Sequence, residues 1–197
     1  MARGNGQMTI FTDREDYQRF LNLFRNVVEE YSVECWNYCL LPNHYHATLR
    51  PTLPNISAAV QQLNGRYAQW WNRRHGRVGH TFQGRFKSQI VQRDGYALAL
   101  CRYVALNPVR ARLVDRPEEW PWASYAATIG QSPAPPFLSV DATLGLFGDT
   151  NRDMLQRRFA EFVVAGIPGD EVDERIRSSQ VVLGDAPFRT AWGQTQV

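Results

Sequence analysis

The chain is short of several things at once. Its 197 residues include three cysteines and a single lysine, Lys87. No apolar run approaches the roughly 18 residues needed to span a bilayer. An odd cysteine number without framework spacing excludes a disulfide scaffold and fits a reducing, cytoplasmic compartment. The opening Met-Ala-Arg-Gly-Asn-Gly lacks the apolar stretch of a signal peptide. Charge of either sign is modest, at 21% of residues, and the 44% hydrophobic content is that of an ordinary globular protein. Collagen-like, disordered and membrane-spanning classes are therefore excluded.

The net charge of +3 is mild, but its distribution is not. Residues 61–120 hold 11 of the 22 basic residues against four acidic ones, which makes this window +7 and the rest of the chain −4. Aromatic residues interleave with the charge: Tyr67, Trp70, Trp71, Phe82, Phe86, Tyr96 and Tyr103. That mixture is the composition of a nucleic-acid surface, although a basic run alone is more often a solvated face.

Apolar spacing predicts a helix from Asp13 to Tyr31, a strand over 33–41, a Pro42-Asn43 turn and a returning strand over 44–50. A second helix is expected from Ile56 to Arg74, then a Gly-rich loop from His75 to Gly84 and a short strand from Phe86 to Val91. Asp94 should cap a helix running to about Leu106. Asn107-Pro108 should break it, and Pro108 to Val114 should form a separate helix. A further short helix should start at Trp120 to Tyr125. Helices are expected again over Asp149 to Val164 and Glu171 to Ser179. The only segment free for a strand before the first helix is Gln7 to Phe11. This order suggests an α+β sandwich of the ferredoxin-like kind around a central antiparallel sheet, with a C-terminal helical tail. The expected organisation is a catalytic domain over 1–129, a Pro/Gly/Ser-rich linker over 130–148 and a helical tail over 149–197.

His44 and His46 stand at i and i+2 on a predicted strand, so both imidazoles project from one face as an edge of a divalent-metal site. Taken alone, such a pair is more often surface or core. Cys35 and Cys39 are too far apart along a strand to share that metal, so with Cys101 they read as buried thiols. Tyr103 and Asn107 share a helix face at i and i+4. Tyr103 lies among Arg102, Arg110 and Arg112, and a phenol flanked by arginines is a candidate nucleophile toward phosphate. It is equally a candidate core residue, as Asn107 is a candidate helix terminator.

The combination is more specific than its parts. Leu41-Pro-Asn-His-Tyr-His46 resembles the HUH motif, with Tyr45 as a large middle residue. Arg102-Tyr-Val-Ala-Leu-Asn-Pro-Val-Arg-Ala-Arg-Leu-Val114 resembles the tyrosine motif of single-tyrosine HUH transposases, the REP-associated tyrosine transposases in particular. Arg3-Gly4-Asn5, Phe82-Gln-Gly-Arg-Phe-Lys-Ser88, Pro121-Trp-Ala-Ser-Tyr125 and Leu183-Gly-Asp-Ala-Pro-Phe188 extend the resemblance. It implies an HUH-endonuclease fold in which His44, His46 and Asn107 bind Mg2+ or Mn2+ and Tyr103 is the nucleophile. The implied reaction cleaves and rejoins single-stranded or hairpin DNA through a 5′-phosphotyrosine. The basic window then supplies phosphate contacts through Arg66, Arg73, Arg74, Arg85, Lys87, Arg102, Arg110 and Arg112, and Tyr67, Trp70 or Trp71 are candidates to stack bases. Relatives work as monomers or as domain-exchanged dimers, and both states stay open. The resemblance also implies a strand upstream of Arg3, for which only two residues are present. Competing expectations are a non-catalytic hairpin DNA- or RNA-binding protein on the same fold, and a small metal-dependent hydrolase using the two histidines.

Overall fold

The computed structural model describes residues 1–93, 95–148, 151–166 and 182–193. The expected Asp94 cap, the Asp149 helix start and the Glu171 to Ser179 helix lie outside the described residues.

The long elements follow the apolar periodicity. Helix α1 spans Arg14–Glu30, and Asp13 caps it by accepting from the backbone N–H groups of Glu15 and Asp16. Its buried stripe is Tyr17, Phe20, Leu23, Phe24, Val27 and Val28. Strands β2 (Val33–Leu41) and β3 (His44–Pro51) form the expected antiparallel hairpin. Helix α2 spans Ile56–Arg74 and buries Ala59, Val60, Leu63, Tyr67 and Trp71.

The first strand is not at Gln7 to Phe11. Strand β1 is Ala2–Arg3, pairing antiparallel with Tyr45 and His44 of β3. Residues 5–7 turn the chain away, with Gln7 at φ 61°, and Ile10 and Phe11 instead donate their N–H groups to the Pro42 carbonyl and bury their side chains. β1 is two residues long, as short as the sequence suggested.

The sheet order is β1-β3-β2, which puts the histidine strand at the centre. Further backbone contacts cover part of each sheet edge. Beside β1, Gln83 and Lys87 donate N–H groups to the carbonyls of Arg3 and Met1, and Gly4 bridges Phe82. Beside β2, Cys39 bridges Ala123 and Cys35 bridges Leu138.

Alternation along the strands separates two faces. Tyr38, Leu40 and Tyr45 join Phe20, Phe24, Leu63 and Tyr67 in the main core. Cys39 and Leu41 face the other way and pack with Val104 and Ala123. Val104 belongs to helix α3, Gly95–Arg110. This helix is continuous through Asn107-Pro108, contrary to the expected break. Proline costs a helix one N–H and crowds the carbonyl four residues back, but Pro108 lies in the last turn and is buried, and the helix ends two residues later. There is accordingly no separate helix to Val114: Arg112 adopts a left-handed φ of 56° and stops it.

Short helices α4 (Tyr125–Thr128) and α5 (Val140–Leu144) follow, then α6 (Arg152–Val164), capped by the Asn151 side chain. Strand β4 is confined to Ile90–Val91, shorter than the expected Phe86 to Val91, and pairs in parallel with β5 (Val182–Leu183). Helix α7 (Ala186–Gly193) comes next. The segment expected as a linker over 130–148 is integrated with the core. Phe137, Leu138, Val140 and Leu144 are buried, Ser139 donates its N–H to the Cys35 carbonyl, and the Thr143 hydroxyl donates to the Trp36 carbonyl at 2.7 Å. Its Pro/Gly/Ser content reflects tight turns, which composition alone does not distinguish from a flexible tether. No helix among the described residues is long and apolar enough to cross a membrane.

Candidate active site

His44 and His46 project from β3 onto the α3 side of the sheet, with ring centroids 5.1 Å apart. Tyr45 between them points the opposite way into the main core, 4.7 Å from Phe20, and its hydroxyl donates to Asn64 Oδ1. A large middle residue therefore anchors the strand without crowding the histidines. Tyr103, from α3, approaches edge-on to His46 at 5.7 Å between ring centroids. All three rings belong to one chain.

The polar groups are oriented by specific contacts. His44 Nδ1 lies 2.6 Å from Asn43 Oδ1. An amide oxygen only accepts, so Nδ1 carries the proton and Nε2 presents its lone pair. Burial is the main force holding the His44 imidazolium off, and its pKa falls to about 4, with the Arg3 cation adding to the effect. His46 is also pushed down, first by burial, then by His44 and nearby positive charge that includes Arg3. Both imidazoles are thus neutral at physiological pH, the state that binds a metal. Asn107 Nδ2 donates to the Tyr103 carbonyl at 2.7 Å, one residue before the carbonyl that Pro108 crowds. With its nitrogen so used, the amide oxygen is the group Asn107 can offer a cation. The described residues hold no group of three His, Cys, Asp or Glu suited to a metal. Two neutral imidazoles and one amide oxygen are a donor set that fits a divalent ion and leaves coordination positions for substrate.

The arginines divide by environment. The Arg110 guanidinium lies 5.1 Å from the centroid of the Tyr103 ring. Arg102, next to the tyrosine in sequence, turns away and sits 4.4 Å from the Phe162 ring centroid on α6. Arg74 is held by Asp13, Glu15 and the fully buried Asp16. Arg66 pairs with Glu30 at 2.9 Å. Arg73, Arg85, Lys87 and Arg112 are exposed. The candidate base-stacking aromatics Tyr67 and Trp71 do not serve that role: they are 0% and 3% exposed, and the Tyr67 hydroxyl donates to the Ile10 carbonyl. Trp70 is half-buried between Arg19 and Arg74. Their helix stripe was the signal of core packing. Cys35, Cys39 and Cys101 are buried free thiols.

Three residues escaped the sequence reading. Asn43 signalled only a turn, yet it fixes the His44 tautomer. Arg3 lay in a recognised segment, but only the β1–β3 register puts it opposite His44. Asn37 donates to the Cys101 carbonyl at 3.0 Å, tying β2 to α3, and had no local signal at all.

The fold is similar to a solved structure of a REP-associated tyrosine transposase bound to a REP hairpin. The TM-score is 0.55 at 16% sequence identity, over 70% of this chain and 81% of that one. No match was found among curated proteins. Residues 3–107 match the model of the family described as "Transposase IS200 like". That stretch contains both histidines, the tyrosine and Asn107, and the chain belongs to the IS200-like transposase family.

Proposed function

We propose that the protein is a DNA strand-transferase that cleaves and rejoins single-stranded hairpin DNA through a 5′-phosphotyrosine. The observation that carries this reading is the edge-on approach of Tyr103 to His46 within one chain, 5.7 Å between rings. The hairpin is proposed because the solved relative with this fold was bound to one.

In this mechanism Tyr103 Oη attacks the phosphorus and the deoxyribose 3′ oxygen leaves. The products are a 5′-phosphotyrosine and a free 3′-OH. The phosphodiester bond energy is kept in the new ester, so an incoming 3′-OH restores a phosphodiester without ATP. Arg110 over the phenol offsets negative charge on the attacking oxygen and on the departing phenolate in the return step. Arg3 supplies positive charge beside the histidines, where the phosphate must sit. His44, His46 and the Asn107 oxygen would hold a divalent cation, Mg2+ or Mn2+, which when bound supplies Lewis-acid polarisation of the scissile phosphate. Exposed Arg73, Arg85, Lys87 and Arg112 are the remaining candidates for phosphate contacts along the strand.

The test is incubation with Mn2+ and an end-labelled hairpin carrying single-stranded flanks, followed by denaturing electrophoresis. Wild type should give a covalent adduct, Tyr103→Phe none, and His44→Ala none while still binding the hairpin. Mixing Tyr103→Phe with His44→Ala chains should not restore the adduct, because on this reading His44, His46 and Tyr103 of the same chain act together. An adduct from Tyr103→Phe would refute the nucleophile assignment. A wild type that binds every hairpin it recognises without forming an adduct would make this a binding protein.

A further inference from the structure

The C-terminal segment lies outside the family match, yet it holds both the helix that carries Tyr103 and the strand that precedes that helix. On α6, the Phe162 ring receives the guanidinium of Arg102, the residue next to Tyr103, at 4.4 Å. Gly166, just past α6, is buried against the same arginine. A Cβ there would fall on the Arg102 stem and lie 2.7 Å from its Nε. Arg102 thus lies between an aromatic ring and a glycine, and any side chain at 166 would force the arginine to shift.

The second grip is at the approach to α3. Strand β5 pairs in parallel with β4, and Gln92 donates its N–H to the Leu183 carbonyl at 2.8 Å. The Gln92 side chain then makes a reciprocal pair with Asp185: its Nε2 donates to Oδ2 at 3.0 Å, and its Oε1 accepts the Asp185 N–H at 2.8 Å. Asp185 Oδ1 also accepts from the Phe188 N–H, capping α7. Gly184 is enclosed here, since a Cβ would meet the Phe188 ring and lie 2.8 Å from Gln92 Oε1. From the sheet side, Asn37 holds the Cys101 carbonyl. The tyrosine helix is therefore fastened to β2 through Asn37 and to α6 through Arg102, and the strand that precedes it is fastened to β5.

We propose that α6 with Gly166, and the β5–α7 unit, brace the tyrosine helix against the histidine strand, with Phe162, Gly166 and Gln92–Asp185 as positioning residues. This rests on the strand-transfer reading for its consequence, but not for its structural content. A phenol must lie in line with the phosphorus to attack it, and a misplacement of about 1 Å costs on the order of 100-fold in rate. None of the brace residues touches the proposed reacting atoms, so their loss should slow chemistry and spare substrate binding.

The experiment uses the full chain with two variants, Phe162→Leu and Gly184→Ala, and Phe162→Tyr as the conservative control. Hydrogen exchange without DNA reports the α3 backbone, and single-turnover adduct formation with Mn2+ and hairpin reports chemistry. Both variants should accelerate exchange in α3 while β2 and β3 keep wild-type protection. Adduct formation should slow by about 10- to 100-fold, the hairpin Kd should stay within about twofold, and Phe162→Tyr should restore both rates. Should Phe162→Leu unfold globally, Gly184→Ala decides, because it perturbs only the β5 docking. Wild-type exchange in α3 for the folded variants would overturn the brace, and so would a loosened α3 with an undiminished adduct rate. A wild type that forms no adduct would sink the strand-transfer reading instead, while the exchange measurement would still test the fastening.

Discussion

Arg73 and Arg74 are neighbours in the most basic stretch of the chain, and the structure gives them opposite fates. Arg73 is exposed. Arg74 closes a cluster around Asp16, whose carboxylate is 0% exposed and lies 2.6 Å from Arg74 NH1. The same carboxylate accepts the Thr12 N–H at 2.8 Å and faces His75 Nε2 at 3.0 Å. Replacing Arg74 with Met keeps the apolar stem but strips the main charge partner from a buried anion. Arg74 is itself partly exposed, so the loss is that of one charge-assisted hydrogen bond to a buried carboxylate, about 1.5–3 kcal/mol. Thr12 and His75 persist as partners, so the lower end applies, about 1.5 kcal/mol. The surface pairs with Asp13 and Glu15 add little. For a protein of this size that corresponds to a fall in Tm of roughly 3–6 °C. Arg73→Met should leave Tm within about 1–2 °C, as surface changes do. Hairpin binding across a salt series should reverse the ranking. Losing one phosphate contact lowers the slope of log K against log salt by about 0.7–0.9, so Arg73→Met should reduce it and Arg74→Met should not. Thermal denaturation and fluorescence-anisotropy titration measure both. An Arg74→Met protein as stable as wild type, with a reduced salt slope, would refute the reasoning.

Two further outcomes follow from the geometry. Thr143→Val keeps shape but leaves the Trp36 carbonyl without its 2.7 Å donor at a fully buried position, a loss of about 1–3 kcal/mol, readable by urea denaturation; a change below about 0.5 kcal/mol would show that residues 137–147 are not integral to the core. The second concerns pH. His44 is held to a pKa of about 4 by burial and His46 is also depressed, so protons do not compete with a metal until well below the usual histidine range near 6.5. Mn2+ affinity should stay flat from pH 8 to about pH 5.5. Stability should fall as pH drops from about 6.5 toward 4, because the unfolded chain then takes up protons that the native site refuses. Calorimetric Mn2+ titrations that weaken steeply from pH 6.5 downward would contradict the depressed values.

What the sequence displayed and what it hid divide along sequence distance. His44 and His46 at i and i+2, and Tyr103 and Asn107 at i and i+4, were legible because strand and helix periods place each pair on one face. That the two pairs meet was not legible from periodicity; the motif resemblance supplied it. Asn37 to Cys101, Thr143 to Trp36 and Arg74 to Asp16 join residues 64, 107 and 58 apart, and no local pattern announces such partners. Pro108 was misread for a related reason. Local propensity favours a break, and burial of Leu106, Asn107 and Pro108 against the sheet overrides it.

The basic window shows why a charge sum is a weak guide to a binding surface. A sum counts every guanidinium alike, whereas the fold assigns each a neighbour. Of the eight cations nominated for DNA, Arg66 and Arg74 neutralise carboxylates, Arg102 lies against Phe162 and Arg110 covers the proposed nucleophile. Two of the exposed four, Arg85 and Lys87, sit in the segment running beside β1, one strand from the histidines, and Arg3 lies between them and His44 in the pairing order. On the proposed reading, the positive charge nearest the histidines is a short file carried by Arg3, opposite His44, with Lys87 in the neighbouring segment. Part of it comes from residue 3, outside the window that the composition singled out. On α2, by contrast, Arg66 and Arg74 are already paired with protein carboxylates, which leaves Arg73 as that helix's candidate phosphate contact.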